Sequence, residues 1–350
     1  MDKIIVVTGA TGHIGVGLLH ELRQRGEYVR AVVLENESYD YIKTLCDEIV
    51  FADVRQLNSL IKAFEGASSV FHLAGIITIG KENRSLLKTV NIEGTKNVIE
   101  ACKKTQVKRL VYTSSVHAIK VLKDDVLMSE QLEFDAKSVV GDYAKSKAIA
   151  TSFVMAANGK DLETVVCFPS GVINPYGFKR SNIGQLVLDY NNKKIPLYFN
   201  GAYNYVDVRD VAFGLAQAEK LGITGEGYIL SGDILSVEDM LKILEYKTGI
   251  PRPKLKLPVG LFKILAPFAE LHYKAHKLKP VFTSYSLYTL NVNSNFNYQK
   301  AQQELNFNPR PARQSLEDEI DFMLGTPPEN KKEFEVKNTK IISANSAKKL

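Results

Sequence analysis

Short apolar runs alternate with longer stretches of helical period from the N-terminus to about Phe168. The runs cover residues 4–7, 29–34, 49–52, 70–73, 109–112 and 164–167, and β-branched residues dominate several of them. Each is nearly continuous in apolar character, the mark of parallel strands buried on both faces. Between them, 16–25, 59–65, 93–104 and 140–157 read as helices. Strands alternating with helices imply right-handed crossovers and therefore an α/β fold with a doubly wound parallel sheet.

Beyond Phe168 the alternation loosens, with polar and aromatic loops at 174–182 and 196–205. The pattern divides the chain into a sheet domain over 1–173, to which 205–235 returns, and a smaller lobe made of 174–204 and 249–325. Residues 326–350 open on Pro327-Pro328 and continue as a Lys/Glu/Asn/Ser mixture, which reads as a flexible tail. The apolar stretch 257–276 is interrupted by Lys263, Pro267 and Glu270. Its uncharged runs fall short of the ~20 residues a membrane span needs. It reads as a pair of short helices capping the smaller lobe, with an interfacial helix as the alternative.

Composition narrows the picture. The chain has 350 residues, 45% hydrophobic and 24% charged, enough for a sizeable core. Cys46, Cys102 and Cys167 are widely spaced and form no CxxC pair, which argues against a disulfide framework or a metal site and for a reducing compartment. Four apolar residues before a glycine-rich turn make a first strand and not a signal peptide, so a cytoplasmic location is expected. Of the formal charge of +6, half sits in the last 25 residues, where six lysines face three glutamates. What remains gives no reason to expect a nucleic-acid partner.

Gly9-Ala10-Thr11-Gly12-His13-Ile14-Gly15 follows the first strand and opens a helix. Glycines there let a pyrophosphate approach the backbone and the helix pack closely on its strand, while unpaired N–H groups face the anion. That placement makes the sheet domain a Rossmann-type dinucleotide site. Asp53 and Val54, at the end of the third strand, suit an adenine amino group and ring, although Asp53 would serve equally as a helix N-cap. Leu73, Ala74 and Gly75 leave room for a ribose. His72 reads as a packed histidine, and Asn91 as a brace for the sheet.

Tyr143 and Lys147 stand four residues apart on one helix face. A free phenol with pKa near ~10 is a poor base, but a nearby ammonium lowers that value and lets Tyr143 exchange a proton while hydride moves. Lys145 lies on another face. Ser115, in the strand end Tyr112-Thr113-Ser114-Ser115, is placed to donate to the same carbonyl oxygen.

These motifs together resemble the extended short-chain dehydrogenase/reductase superfamily, within it the dihydroflavonol 4-reductase-like and 3β-hydroxysteroid dehydrogenase-like reductases, over about residues 3–323. The resemblance implies Ser115 as catalytic serine, Tyr143 as acid/base, and Lys147 as its partner that also holds the nicotinamide ribose. Thr113 and Ser114 match flanking positions of the hydroxyl-rich strand end. The resemblance further implies that the segment from Phe168 through Pro169, Ser170, Gly171 and Val172 wraps the nicotinamide amide. Segments 205–211 and 300–310 match the closing strand-to-helix segment and the C-terminal signature.

Two departures shape the expectations. An acidic residue at the end of the second strand favours NAD and a nearby Arg accommodates NADP. Here those positions fall on Val33 and Leu34, with Glu35 late and Arg30 early. The cofactor is therefore NADP or NAD, with a slight lean to NADP because Arg30 and Lys43 are within reach of a phosphate. The Arg with which related nucleotide-sugar enzymes clamp a diphosphate is replaced by Tyr203. The expected activity is carbonyl–alcohol interconversion on a small-to-medium, fairly apolar molecule, which Tyr176, Phe178, Tyr203 and Tyr205 would suit. A nucleotide-sugar epimerase or dehydratase, with Arg180 or Arg209 as substitute clamp, and a non-catalytic dinucleotide sensor are the alternatives. The expected partner is a small-molecule substrate, with a homodimer left open.

Overall fold

A seven-stranded parallel sheet carries both ends of the site. A computed structural model describes residues 3–77, 84–123, 126–131, 133–176, 181–261, 284–325 and 340–342. The first half runs β1 (Ile4–Thr8), α1 (His13–Gln24), β2 (Tyr28–Val33), β3 (Glu48–Phe51), α2 (Leu57–Phe64), β4 (Ala67–His72), α3 (Arg84–Leu87), a π-helical segment Lys88–Glu93, α4 (Gly94–Lys104), β5 (Arg109–Thr113) and α5 (Asp142–Ala156). The second half runs β6 (Glu163–Pro169), β7 (Gly171–Ile173), α6 (Asn182–Asn191), β8 (Leu197–Phe199), β9 (Ala202–Asp207), α7 (Val208–Leu221), β10 (Gly227–Leu230), β11 (Asp233–Ser236), α8 (Val237–Thr248), β12 (Leu255–Leu257), α9 (Ser284–Thr289), α10 (Gln299–Leu305), α11 (Ala312–Leu324) and β13 (Lys340–Ile342).

The sheet order is β10-β6-β5-β4-β1-β2-β3, with β13 added beside β3. All of its pairings are parallel. Strand order reverses at β1, which lies between β2 and β4, so the crevice for a ligand opens at the carboxyl ends of β1 and β4. Each predicted strand appears, within a few residues of its expected bounds. The helix expected to begin at residue 140 begins at Asp142, because Gly141 holds φ +99° and stands outside the helical region.

Alternation along the strands splits the core into two layers. Val6, Val32 and Val70 face Leu60, Phe64, Val98 and Val154 on one side of the sheet. Val7, Ala31 and Val33 face Leu18, Leu22, Val211 and Leu215 on the other. Gly17 lets α1 and α7 close up, since a Cβ there would lie 2.8 Å from a methyl of Val208.

Outside the parallel sheet stand a three-stranded sheet, β11-β9-β7, a two-stranded pairing of β8 with β12, and a separate core containing Val187, Tyr190, Leu244, Leu316 and Ile320. The region expected as a loop at 196–205 therefore contributes strands, as its aromatic and aliphatic residues favour. Within the expected tail, Ile341 pairs with Ile49 as part of β13; residues 326–339 and 343–350 lie outside the described residues, as does most of the apolar stretch 257–276. No described helix is long and apolar enough to cross a membrane.

Candidate active site

The glycine loop is pressed against the end of β4. Gly9 takes φ +70°, and a Cβ on it would lie 2.6 Å from the Ala74 backbone nitrogen. Gly12 N–H donates to the Gly9 carbonyl at 2.9 Å, and a Cβ on Gly15 would collide with the Gly9 and Ala10 carbonyls. Gly12 caps α1 without a side-chain bond, and no acidic residue sits in the first turn. The N–H groups of His13 and Ile14 thus begin a helix suited to an anion. Thr11 is buried, and its carbonyl accepts from the Tyr41 hydroxyl at 2.9 Å.

Past the end of β3, Val54 is buried and Asn97 Nδ2 donates to its carbonyl at 2.9 Å. The Asp53 carboxylate accepts the Arg55 backbone N–H and its guanidinium, at 2.9 and 3.0 Å, which opens the turn into α2. Hydrogen bonding to Arg55 holds its carboxyl below the usual range. The helix N-cap itself is Gln56.

Arg30 corrects an expectation. Its guanidinium pairs with Glu48 at 2.5 Å and donates to the carbonyls of Ala63 and Glu65, at 3.0 and 2.8 Å. It is buried and spent on the C-terminal end of α2, where a cation is favoured by the helix dipole, so it is not free for a phosphate. Lys43 is more exposed but pairs with Asp40 at 2.6 Å and lies over the Tyr39 ring.

Tyr143, Lys147 and Ser115 come together where β5 ends against α5. Ser115 caps a short 3₁₀ turn, Val116–Ala118, and its hydroxyl oxygen accepts from His117 N–H at 3.2 Å. The Ser115 hydroxyl also bonds the Tyr143 phenol, which opposes but does not overcome the burial that pushes the phenol up to about 12. Ser114 is a brace, its hydroxyl 2.6 Å from that of Thr151. Lys147 Nζ donates to the Thr113 carbonyl at 2.8 Å and to the Tyr112 hydroxyl at 3.4 Å, and burial pushes it down to about 7. Gly75 stands close, since a Cβ there would lie 3.5 Å from Nζ. The expected lowering of the phenol by Lys147 is thus absent from this arrangement, because the ammonium is turned to the strand end. Lys145 is exposed on another face.

Behind the site, His72 has both ring nitrogens engaged, by Thr8 at 2.8 Å and Thr95 at 3.0 Å, and burial lowers it to about 3. Asn91, in the π-helical segment, bridges the Ile76 backbone and the Ser146 hydroxyl. Both are structural, as read from the sequence. Pro169 ends β6, Gly171 and Val172 lie in β7, and the Ser170 N–H donates to Leu230. The hydroxyls of Thr113 and Ser170 are buried without a partner. A glycine cradle that a Cβ would fill, an uncapped helix N-terminus and these spare hydroxyls together fit a dinucleotide.

An aromatic wall completes the site, and two of its members, His117 and Tyr285, carried no recognised sequence signal. His117 Nε2 lies 3.2 Å from the Tyr203 hydroxyl, and its ring stacks on Tyr203 at 5.8 Å and meets Tyr143 edge-on at 6.0 Å. Its place two residues after Ser115 was the available clue. Tyr285, far along the chain, lies 6.0 Å from His117 with a buried, unpartnered hydroxyl. Gly141 admits it, since a Cβ there would lie 2.6 Å from the Tyr285 ring. Tyr205 packs over Gly171. Tyr176 does not join them; it stacks on His20 of α1 at 4.6 Å. Arg209 is held by Asp207 and Asp318 at 2.6 and 2.5 Å, so it is no free clamp. Phe178 and Arg180 lie outside the described residues.

Against this geometry, the profile of the 3-beta hydroxysteroid dehydrogenase/isomerase family matches residues 6–201. The chain is 28% identical to "Sterol demethylase protein B" of Methylococcus capsulatus over 319 residues, covering 90% of this chain and 96% of that one. It is 29% identical to "3beta-hydroxysteroid-dehydrogenase/decarboxylase isoform 1" of Arabidopsis thaliana over 313 residues, covering 83% and 70%. The crystal structure of gox2253 superposes with a TM-score of 0.80 at 29% identity, covering 93% of this chain and 100% of that one. The chain belongs to the 3-beta hydroxysteroid dehydrogenase/isomerase family and is an NAD(P)-dependent oxidoreductase of the extended short-chain type.

Proposed function

With that membership as premise, we propose that the chain interconverts a carbonyl and an alcohol on a small-to-medium, uncharged and fairly apolar substrate. The observation that carries this reading is the meeting of Ser115, Tyr143 and Lys147 at the same sheet end as the glycine cradle. The bound dinucleotide supplies or accepts the hydride. Gly9, Gly12 and Gly15 admit its pyrophosphate, Asp53 and Val54 take the adenine, and Lys147 with Thr113 holds the ribose. Tyr143 keeps its proton at neutral pH, so the phenol oxygen is ready to donate to a developing alkoxide while Ser115 orients the same oxygen. A wall of Tyr203, Tyr205, Tyr285 and His117 supports an apolar substrate, because it offers ring faces and neutral hydroxyls and no free charge.

The lean to NADP loses its stronger support with Arg30 committed to Glu48. The segment after β2 carries Glu35, Glu37 and Asp40 against Lys43, which would repel a 2′-phosphate. NAD is the dinucleotide favoured here.

Fluorescence titration with NADH and NADPH tests the placement. NADH is expected to bind more tightly, and Gly12→Val to abolish binding of both. Equal affinity in parent and Gly12→Val would overturn the placement. Oxidation of NADH by a panel of ketones and aldehydes, set against UDP-sugars, tests the chemistry; turnover confined to the UDP-sugars would favour the epimerase class.

A further inference from the structure

The glycine loop is held from behind by a polar chain that begins on α11. Asn174, 3% exposed, follows β7. Its carboxamide oxygen accepts the Tyr176 N–H at 2.9 Å, which fixes the amide orientation. Nδ2 then faces the loop and donates both hydrogens to His13, one to the backbone carbonyl at 3.1 Å and one to ring Nδ1 at 3.1 Å. Because Nδ1 accepts, the neutral ring carries its proton on Nε2. One side chain therefore sets the backbone and the tautomer of the first residue of α1.

Asn174 is itself anchored by a buried acid. Its backbone N–H donates to Glu319 Oε2 at 3.2 Å, and Glu319 is 2% exposed. Oε1 accepts from the Ser181 hydroxyl at 2.8 Å, and that hydroxyl oxygen accepts Gly184 N–H at 2.7 Å, capping α6. Gly184 packs against the same carboxylate, since a Cβ there would lie 3.2 Å from Oε1. Burial raises its proton affinity, and the nearby charge of Asp207, at the end of β9, adds to that. A carboxylate that meets two donors and no cation is costly to bury. Its geometry places it where α11, the end of β7 and the start of α6 meet behind the cofactor crevice.

We propose that Glu319 is a positioning residue for dinucleotide binding: through Asn174 it fixes His13 in the glycine loop, and through Ser181 it ties the start of α6 to the same point. The inference rests on the reading that the loop at 9–15 holds the dinucleotide. It makes cofactor affinity depend on a residue more than 300 positions from the loop.

NADH is the probe, with its dissociation constant measured on folded protein and melting temperature followed alongside. Glu319→Ala and Asn174→Ala are each expected to weaken NADH by several-fold to about tenfold, the scale of a lost hydrogen-bond anchor. The double variant should lose no more than the worse single one, because both act on one path. Glu319→Gln should restore affinity: its amide oxygen accepts from Asn174, and its NH₂ donates to Ser181, whose hydroxyl turns. Unchanged NADH affinity in a folded Glu319→Ala overturns the proposal, as does full additivity in the double variant. Should Glu319→Ala fail to fold, Asn174→Ala decides alone by the same criterion. Gly12→Val separates the two levels. If it leaves NADH binding intact, the loop reading falls; if it abolishes binding while Glu319→Ala and Asn174→Ala do not weaken it, only the positioning role falls.

Discussion

Lys147 should cost the unliganded protein stability, and Lys147→Met should reveal how much. The ammonium is 5% exposed, is paired with no carboxylate among the described residues, and is held by one carbonyl at 2.8 Å and one hydroxyl at 3.4 Å. Burial carries it from 10.5 to about 7, which corresponds to roughly 5 kcal/mol against the charged form, taken as an upper bound. Methionine keeps the unbranched stem but leaves the Thr113 carbonyl unpaired, a loss of about 1–3 kcal/mol. The variant is thus expected to be more stable by about 2–4 kcal/mol near neutral pH. The pH dependence carries the sign. Because the native value lies below the unfolded one, the unfolded chain holds more protons between about pH 7 and 10.5, and the stability of the parent rises across that window. The advantage of the variant is full at about pH 7 and below, shrinks as pH rises, and vanishes or reverses near pH 10. Urea unfolding of both proteins at several pH values, without dinucleotide, measures it. A variant less stable than the parent at neutral pH, or a difference independent of pH, would refute the argument. Dinucleotide binding and turnover should fall in the same variant, which sets stability against function at one residue.

Three further outcomes follow from the same geometry. Tyr143→Phe removes the transferable proton while keeping the ring, so single-turnover hydride transfer should drop by ~10²–10⁴-fold with melting temperature nearly unchanged; full activity on a verified substrate would sink the acid/base role. Arg30→Ala leaves Glu48 buried and unpaired, so it should destabilise by about 3–5 kcal/mol and leave the NADH-to-NADPH affinity ratio alone, whereas a shift in that ratio would restore Arg30 to the cofactor site. Glu319 is raised by burial from 4.5 to about 7, so the native state holds the extra proton and parental stability falls as pH rises through that window, by roughly 3 kcal/mol in full. Glu319→Gln should abolish this slope in urea unfolding between about pH 4.5 and 7, and an unchanged slope would assign it to another group.

The sheet and the glycine loop were legible because their signals are local. Continuous apolar runs mark strands covered on both faces, and the loop's glycines are demanded by contacts visible in its own turn and at Ala74. Arg30 was misread for a reason of the same kind. A charge in a buried strand signals a partner but does not say which. The alternation of β2 turns Arg30 to the face shared by Val32, towards α2, and there Glu48 and the last carbonyls of the helix claim it. Tyr285 and the Glu319 chain were not legible because each meets the site only through tertiary contact, across more than 100 intervening residues.

The pairing of Tyr143 with Lys147 shows where sequence spacing stops. Four positions on one helix bring two side chains to one face, which is geometry, whereas the proton affinity of each is set by everything else around it. Lys147 is drawn to the Thr113 carbonyl and the Tyr112 ring, 4.9 Å from its centroid, and the phenol is left with Ser115 alone. Burial then moves the two groups in opposite directions, towards a neutral phenol and an amine that loses its proton more readily. Both shifts have one origin, the scarcity of compensating charge in a crevice walled by rings and strand ends. A site so arranged holds its proton on Tyr143 at neutral pH in the unliganded chain.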